Sequence, residues 1–418
     1  MLGLVLTAGG ARGAYQAGVL KRLGEIPSLR RGPAPFQVIT GASAGAINGT
    51  MLASTGRRFG TSTRALASLW GALTVDRVIR TDVLAMGRVG ARLMRDLTLG
   101  GIFGGGTLQS FFDASPLRTF LGERLPLGGI DAAIKRGELY AVAISATSYH
   151  SGKAFTFIQG RPGHPIWQKS RRVCMPAKLT LDHVLASAAI PILFPPVLVS
   201  AGGECYFGDG ALRLVTPFSP AIRLGATRVF AVGVRSVTAA QALADVELGH
   251  RQRWNAKRTT LVRPPLAQIC GVFLNAIFLD HLDADLDHLQ RMNQLIEANP
   301  SVPAGDGTTV GEPMRTVKPM IVSPSEDLAL VAKQFEHKMP RVVRYVLDGL
   351  GEPNAESADL MSYLLFDKSY TQALVDIGYG DAERRIDEIE SFLVGERAPA
   401  VRASGKVAVV RPTTTHAV

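Results

Sequence analysis

Residues 38–50, VITGASAGAINGT, place three glycines and three alanines around Ser43, directly after a short apolar run. Small residues on both sides of a serine let two backbone segments approach closely, as a sharp strand-to-helix turn requires. FQVIT (36–40) has the pattern of a strand and AGAINGTMLAS (44–54) that of a helix. The stretch therefore predicts a G-x-S-x-G nucleophile elbow. The alternative is a glycine-rich turn in which Ser43 only caps the following helix.

The first half of the chain alternates short apolar runs with helical patterns, which is typical of parallel strands joined by crossover helices. A helix is expected over residues 13–26. The expected strands are short and mostly apolar, and they cover residues 2–7, 36–40, 139–145, 154–159, 205–209 and 228–234. With 418 residues, 46% of them apolar and 19% charged, the chain can bury a sizeable core. We therefore predict an α/β fold with a mostly parallel central sheet.

Changes in the pattern along the chain suggest a domain organisation. A catalytic domain is expected over residues 1–240, with a helical insertion at about residues 64–121. Residues 241–395 are expected to form a C-terminal helical extension packed on that domain. Residues 396–418 are basic and rich in alanine, valine, proline and threonine, a composition typical of a disordered tail.

The formal net charge of +11 suits nucleic acid, acidic ligands or an anionic membrane equally well. No zinc-finger spacing or basic-aromatic signature accompanies the charge, so we expect no nucleic-acid partner. Within residues 77–100, Arg88, Arg92 and Arg95 recur at helical spacing. This pattern favours either peripheral contact with an anionic membrane or an ordinary solvated helix face.

The sequence also bears on the compartment and on metals. Cys174, Cys205 and Cys270 lie far apart, which supports neither a disulfide framework nor a zinc site, and we expect no metal. The first residues, MLGLVLTAGG, lack the positive segment and cleavage site of a signal peptide. The longest nearly apolar run, residues 266–279, is too short to cross a bilayer. We expect a cytoplasmic protein, with the inner face of the membrane as its candidate site of peripheral contact.

A second glycine-rich segment, TAGGARGAYQAGVL (7–20), joins the first expected strand to the first expected helix. A dinucleotide-binding loop would need glycine where Ala8 stands and an acidic residue after the second strand, and FQVITGAS has none. A P-loop would need Gly-Lys-Ser/Thr, which is also missing. The competing interpretation is an oxyanion hole, in which N–H groups of Gly9, Gly10 and their neighbours face the intermediate while Arg12 adds charge or holds the loop.

A serine nucleophile needs a base. None of the eight histidines lies in a glycine-flanked loop after a clear strand. The segment CYFGDGALR (205–213) instead presents Asp209 on a tight turn at the end of a short apolar run. An Asp-Gly pair by itself is typical of a hairpin turn, so the residues alone leave both interpretations of Asp209 open.

Four motifs taken together resemble the patatin-like phospholipases, in the same order and context. They are AGGARG (8–13), GASAG (41–45), LASAAIPILFPP (185–196) and DGA (209–211), and the resemblance covers about residues 2–235. It implies a three-layer α/β/α fold with a mostly parallel sheet and added helical regions. It also implies a Ser-Asp dyad that hydrolyses acyl esters of phospholipids or lysophospholipids without a metal or cofactor.

The resemblance assigns a role to each matching residue. Ser43 is implied to be the nucleophile and Asp209 the base. The implied oxyanion loop consists of Gly9, Gly10, Arg12 and Gly13. The residues that frame the dyad, in the elbow and in the DGA motif, are Gly41, Gly45, Gly210 and Ala211. Ala8 stands where the family usually has glycine, which affects the expected geometry of the loop more than its role. Ala211 also replaces a common glycine, and this is a variant that the family tolerates.

Two other questions stay open at this point. The segment IPILFPP (190–196) is expected either to shape an acyl-chain channel or to be a packed junction between a strand and a loop. An acyl-serine also passes its acyl group to an alcohol or thiol in acyltransferases, so acyl transfer is an alternative function. A lipid-binding protein without catalysis is the third alternative.

Overall fold

The computed structural model describes residues 1–80, 110–200, 202–236, 282–298, 314–341, 343–344 and 355–395. Three of the expectations above lie outside these ranges. They are the helix that carries Arg88, Arg92 and Arg95, the apolar run at 266–279, and the basic tail at 396–418.

The described strands belong to one sheet and are numbered in chain order. They are β1 (Leu2–Leu6), β2 (Val38–Ala42), β3 (Ala141–Ser148), β4 (Ala154–Gly160), β5 (Gln168–Lys169), β6 (Arg172–Pro176), β7 (Val197–Ser200), β8 (Glu204–Gly208), β9 (Arg228–Val232) and β10 (Lys318–Val322). All six strands expected from the sequence form, with ends shifted by up to three residues.

The described α-helices are numbered in the same way. They are α1 (Gly13–Leu23), α2 (Ala44–Thr55), α3 (Phe59–Ala72), α4 (Val75–Val78), α5 (Ser115–Arg124), α6 (Gly128–Lys135), α7 (Leu181–Ser187), α8 (Ser219–Arg223), α9 (Leu282–Ala298), α10 (Leu328–Gln334), α11 (Ala355–Leu364), α12 (Lys368–Arg384) and α13 (Ile386–Val394). Within these described helices none is long and apolar enough to cross a membrane.

The sheet runs in the order β10-β9-β1-β2-β3-β4-β6-β5, and the five strands from β10 to β3 are all parallel. Strand β4 turns back antiparallel to β3, and the β7–β8 hairpin pairs with the end of β3 through β8. Because β1 and β2 are parallel neighbours, the segments after Leu6 and Ala42 leave the sheet on the same side, where the carboxyl ends of the strands lie; we call this the carboxyl edge. This edge carries both glycine-rich motifs.

Helices cover both faces of the sheet, as the alternation of side chains along the strands requires. On β1, Leu4 and Leu6 point into the larger core, where they meet residues of α1, α2 and α3. Val5 points into the second core with residues of α8 and α9, among them Leu282. The predicted α/β fold with three layers is confirmed.

The region expected to be a C-terminal helical extension also contributes a strand. Strand β10 pairs in parallel with β9 and forms one edge of the central sheet. Helices α11 and α12 then pack on the face that carries α1, where Tyr370 and Leu374 are fully buried. The expected extension did not include this strand, because a five-residue apolar run does not show by itself which sheet it joins.

Candidate active site

Ser43 lies at the turn between β2 and α2. Its backbone has φ 54° and ψ −122°, a conformation that residues other than glycine rarely adopt. Close packing surrounds the turn. A Cβ on Gly41 would overlap the carbonyl oxygen of Gly45, and one on Gly45 would overlap that of Leu6. The small residues of the motif are therefore needed because β1, β2 and α2 approach within backbone contact at this point.

The hydroxyl of Ser43 donates a hydrogen bond to the carboxylate of Asp209, with 2.6 Å between Oγ and Oδ2. Asp209 follows β8, which joins the far end of β3. The two residues are 166 positions apart in the chain and reach each other only because β8 pairs there. Ser43 is 3% exposed and Asp209 is fully buried. The structure thus brings together the two residues that the sequence analysis singled out as nucleophile and base.

Asp209 is held by its surroundings on three sides. Its Oδ1 accepts a hydrogen bond from the backbone N–H of Ala211 at 2.8 Å, and its carbonyl oxygen accepts one from the Thr147 hydroxyl. Its own N–H donates to the carbonyl oxygen of Ala189. Burial raises the pKa of the carboxyl to about 6, although the hydrogen bonds from Ser43 and Ala211 lower it in part. Desolvation therefore makes Asp209 a stronger base than an exposed aspartate.

Ser187, at the end of α7, holds the nucleophile from the other side. The backbone N–H of Ser43 donates to the Ser187 hydroxyl at 2.9 Å, and this hydroxyl donates to the carbonyl oxygen of Ser145 at 2.6 Å. Ser187 is completely buried. A single hydroxyl thereby connects the strained turn to β3, and a buried amide that would otherwise lack a partner is satisfied.

The glycine-rich loop lies beside this turn. Gly13 packs so closely against Ala44 that a Cβ on Gly13 would come within 2.6 Å of the Ala44 side chain. The side chain of Asn48, one helical turn into α2, donates to the carbonyl oxygen of Gly13 at 3.0 Å. Gly10 has a φ of +51°, which favours glycine. The loop and the elbow therefore form one packed unit at the carboxyl edge of β1 and β2.

Arg12 of this loop is 3% exposed and interacts with the C-terminal region. Its Nε donates to the hydroxyl of Ser362 at 2.7 Å, and its guanidinium lies 4.4 Å from the centre of the Tyr363 ring. Of the two roles expected for Arg12, these contacts match the one in which it holds the loop.

Other candidate groups lie elsewhere. His183 is buried in α7, and its Nδ1 contacts the hydroxyl of Thr180 at the start of that helix. Burial lowers the pKa of His183, and in the described structure its Nε2 has no hydrogen-bond partner. Among the residues that the structure covers, no group of histidine, cysteine and acidic side chains is arranged to hold a metal.

An apolar cavity of about 460 Å³ lies near the end of β8, where Tyr149 in its wall lies against Gly208, the residue before Asp209. Its walls include Pro191, Ile192 and Phe194 from the proline-rich segment and Tyr206 from β8. Ile192 is 48% exposed and has a φ of +70°, which is unusual for a β-branched residue. Tyr149, also in the wall, lies against Gly208, and burial and the charge of Asp209 raise its pKa.

Three side chains at this site have no role in the sequence analysis. Ser187 lies inside the LASAAIPILFPP motif, so its position in a recognised motif was a usable signal. Ser362 and Tyr363 lie about 350 residues beyond the loop that they contact, in a helix with no distinctive motif. No local sequence signal points to them.

Comparisons with known proteins place these observations in context. The sequence model of the patatin-like phospholipases matches residues 4–222. No curated protein sequence matches the chain. Similar solved structures include VipD from Legionella pneumophila, with 13% identity over 90% of this chain and 66% of that one, at a TM-score of 0.30. Human GIVD cytosolic phospholipase A2 is 14% identical over 94% of this chain and 60% of that one, at a TM-score of 0.36.

A third similar structure is ExoU, in its complex with SpcU from Pseudomonas aeruginosa. It is 14% identical over 94% of this chain and 77% of that one, at a TM-score of 0.22. The chain spans about 60% of the human enzyme and 66% of VipD. The match of the family model extends over more than half of the sequence and includes the loop, the elbow and the Asp-Gly turn. The chain belongs to the patatin-like phospholipase family.

Proposed function

We propose that the protein hydrolyses acyl esters of phospholipids or lysophospholipids, with Ser43 as nucleophile and Asp209 as general base. The observation that carries the proposal is the 2.6 Å hydrogen bond between the Ser43 hydroxyl and the buried Asp209 carboxylate. A hydroxyl this close to a base transfers its proton as it attacks a carbonyl carbon. With the pKa of Asp209 raised to about 6, the carboxyl is ionised near neutral pH and still accepts a proton in the transition state.

The reaction follows from this geometry in two steps. Ser43 Oγ forms a bond to the ester carbon while its proton moves to Asp209, and the carbonyl oxygen becomes an oxyanion. The bond to the alcohol oxygen then breaks, and Asp209 returns the proton to that oxygen. In the second step Asp209 takes a proton from water as the water oxygen attacks the acyl carbon. The bond between that carbon and Ser43 Oγ then breaks, Asp209 returns the proton to Oγ, and the fatty acid leaves.

The oxyanion needs hydrogen-bond donors that are in place before the reaction. The loop of Gly9, Gly10 and Gly13 supports this role, because it packs against the elbow at the same edge of the sheet. The first turn of α2 begins directly after Ser43 and adds the positive end of its dipole. Arg12, held by Ser362 and Tyr363, acts in this proposal by fixing the loop.

The substrate class rests on the family and on the apolar cavity that Tyr149 helps to line, close to Gly208 at the end of β8. A cavity of about 460 Å³ walled by Pro191, Ile192, Phe194 and Tyr206 matches an acyl chain better than a polar head group. In this proposal the proline-rich segment shapes the acyl-chain channel, which is the first of its two expected roles. The exposed Ile192 at the rim provides apolar contact for a lipid at the entrance.

The test combines covalent labelling with product analysis. Wild type should react with a fluorophosphonate probe and release fatty acid from phospholipid or lysophospholipid, whereas Ser43→Ala should do neither. Ser54→Ala is the matched control, because Ser54 lies in the last turn of α2, the helix that starts directly after Ser43, and its hydroxyl donates to the Met51 carbonyl oxygen. Labelling of Ser43→Ala at the wild-type rate would refute the proposal. Transfer of the acyl group to an added alcohol in place of water would identify a transferase.

A further inference from the structure

A cavity of about 520 Å³ lies well away from the dyad. Its lining consists of Arg30, Arg31, Arg58, Gly60, Thr61 and Arg64, and we name it the arginine cavity. One wall carries Arg30 and Arg31, and the other carries Arg58, Gly60, Thr61 and Arg64. A backbone hydrogen bond joins the two walls, because the N–H of Gly60 donates to the Arg30 carbonyl oxygen at 3.0 Å. A larger residue at position 60 is excluded, because a Cβ there would lie 2.6 Å from the carbonyl oxygen of Gly24. The positions of the two walls are therefore set by the backbone.

The charge of this cavity is uncompensated within the described part of the chain. No acidic residue lines it. The ion pairs between described residues involve other basic side chains, and none of these four arginines makes one. The helix α3 begins at the cavity without an acidic residue in its first turn, so the positive end of its dipole adds to the charge. Four guanidinium groups around one opening repel each other, and a bound anion would relieve that repulsion.

The arginine cavity lies at the opposite edge of the sheet from Ser43. Helix α2 starts at the carboxyl edge and runs for 12 residues, about 18 Å, before the chain reaches Arg58. Arg30 and Arg31 follow α1 and precede β2, so they lie at the same far edge. If a bilayer contacted this cavity, the proposed active site would therefore face away from the bilayer.

We propose that the arginine cavity binds a soluble small molecule that carries two or more phosphate groups. Guanidinium groups bind phosphate oxygens in pairs, and several of them around one cavity match several phosphates better than a single carboxylate. The volume is in the range of small-molecule sites. A phospholipid head group has the same chemistry, but the position of the cavity disfavours it.

Titration calorimetry with inorganic tripolyphosphate tests this proposal. We expect one binding site in wild type and a dissociation constant at least about tenfold larger in Arg31→Gln/Arg64→Gln, because two of the four phosphate-binding forks are removed. The control Arg171→Gln/Arg291→Gln removes the same charge from exposed positions outside the cavity and should bind as wild type does. Absence of binding, or equal loss in both double variants, would overturn the site.

Vesicles that contain phosphatidylinositol bisphosphate distinguish the source of the phosphates. If they bind through Arg31 and Arg64 while tripolyphosphate does not bind, the ligand is a lipid head group and the assignment to a soluble molecule is wrong. If neither probe binds, the arginine cavity is not a phosphate site. Binding of tripolyphosphate with vesicle binding unaffected by the two substitutions supports the proposal as stated.

A separate set of contacts concerns residues beyond the part of the chain that the family model matches. The carbonyl group of Tyr363 lies against Gly10, so closely that a Cβ on Gly10 would overlap it. Ser362 and the Tyr363 ring enclose the guanidinium of Arg12. Both residues lie in the last turn of helix α11, which is outside residues 4–222. The loop is therefore supported by a segment that its own motif does not include.

This segment is anchored to the helix that follows the loop. The hydroxyl of Tyr15 in α1 donates to the buried Asp381 of α12 at 2.9 Å. Gly18 packs against the backbone of Val375, and Gly378 packs against the backbone of Tyr15, without room for larger residues. Helix α12 is thus held rigidly along α1, and α11 with its two contact residues follows directly before it.

We infer that Ser362 and Tyr363 are positioning residues that fix the proposed oxyanion loop through Arg12, an inference that rests on the proposed function. Donors stabilise an oxyanion strongly only when they are fixed before charge develops. A loop rich in glycine lacks such rigidity by itself, because glycine has the largest range of backbone conformations. The buried contacts of Arg12 supply it.

Steady-state kinetics on a soluble ester test this inference. Tyr363→Leu and Ser362→Ala should each lower kcat by about tenfold or more while KM changes little, because the donors act on the transition state. Tyr363→Phe keeps the ring over Arg12 and should lower kcat less than Tyr363→Leu does. Melting temperatures identify a variant that fails to fold.

The outcomes separate this inference from the proposed function. If wild type hydrolyses no ester and reacts with no fluorophosphonate, the proposed function is wrong and the positioning role is wrong with it. If wild type is active and folded Tyr363→Leu and Ser362→Ala keep its kcat, only the positioning role is wrong. A loss of kcat in Tyr363→Phe equal to that in Tyr363→Leu would also contradict the role of the ring.

Discussion

The buried carboxylate of Asp209 should cost the protein stability, and replacing it with asparagine should recover that stability while abolishing hydrolysis. The pKa of this carboxyl is about 6 in the folded protein against an ordinary value of 3.8. Since the pKa is raised on folding, protonation of Asp209 stabilises the fold fully below about pH 3.8, and this stabilisation is lost as the pH rises through about 6. Above that pH the fold must hold an ionised, fully buried carboxylate.

The magnitude follows from the shift. A difference of about two pKa units corresponds to about 3 kcal/mol between the ionised and neutral forms. The asparagine side chain in the variant Asp209→Asn is always neutral and has nearly the same shape, with one oxygen to accept from Ala211 and an amide to donate to Ser43. We expect Asp209→Asn to be more stable than wild type by about 3 kcal/mol near pH 8, and by less than about 1 kcal/mol near pH 4.

Urea unfolding of both proteins across this pH range measures the difference. The exposed Asp287 of α9 provides the control, because Asp287→Asn removes the same charge without removing a buried carboxylate. A gain in Asp209→Asn that is absent near neutral pH, or that is equal at all pH values, would refute the attribution of the raised pKa to burial. Wild-type ester hydrolysis by Asp209→Asn would remove the residue from the proposed mechanism.

Three other predictions concern the same site. The kcat/KM of wild type should fall about tenfold per pH unit below about pH 5, because Asp209 must be ionised to act as a base, and a flat acid limb would contradict this. Ser187→Ala should destabilise the protein by about 1–3 kcal/mol in urea unfolding and lower kcat, because the buried N–H of Ser43 loses its acceptor. An unchanged kcat would show that the elbow keeps its conformation without this hydrogen bond. Gly10→Ala should lower the free energy of unfolding by more than about 1 kcal/mol and remove most of the activity, because position 10 has a positive φ and a Cβ there would overlap the Tyr363 carbonyl group. A melting temperature equal to that of wild type would refute the described packing.

Local patterns in the sequence were sufficient for most elements of the catalytic half. Strand β1, strand β2 and helix α2 follow from short apolar runs and from small residues at the turns, which act within a few positions along the chain. The elbow at Ser43 and the glycine-rich loop were predicted for the same reason. Asp209 was recognisable only through the order of several motifs, because a single Asp-Gly turn has the same local appearance in any hairpin.

Tertiary structure decided the features that depend on distant segments meeting. The distance of 2.6 Å between Ser43 and Asp209 depends on β8 pairing with the end of β3, and the raised pKa depends on the burial that this pairing produces. The place of β10 in the sheet and the contact of Tyr363 with Arg12 depend on how the C-terminal region packs. The periodicity of apolar residues indicates which face of a helix or strand is buried. It does not indicate which other element packs against that face, because many apolar surfaces fit it. The chain thus determined its elements and its candidate chemistry locally, and packing determined the electrostatics and the supports of the site.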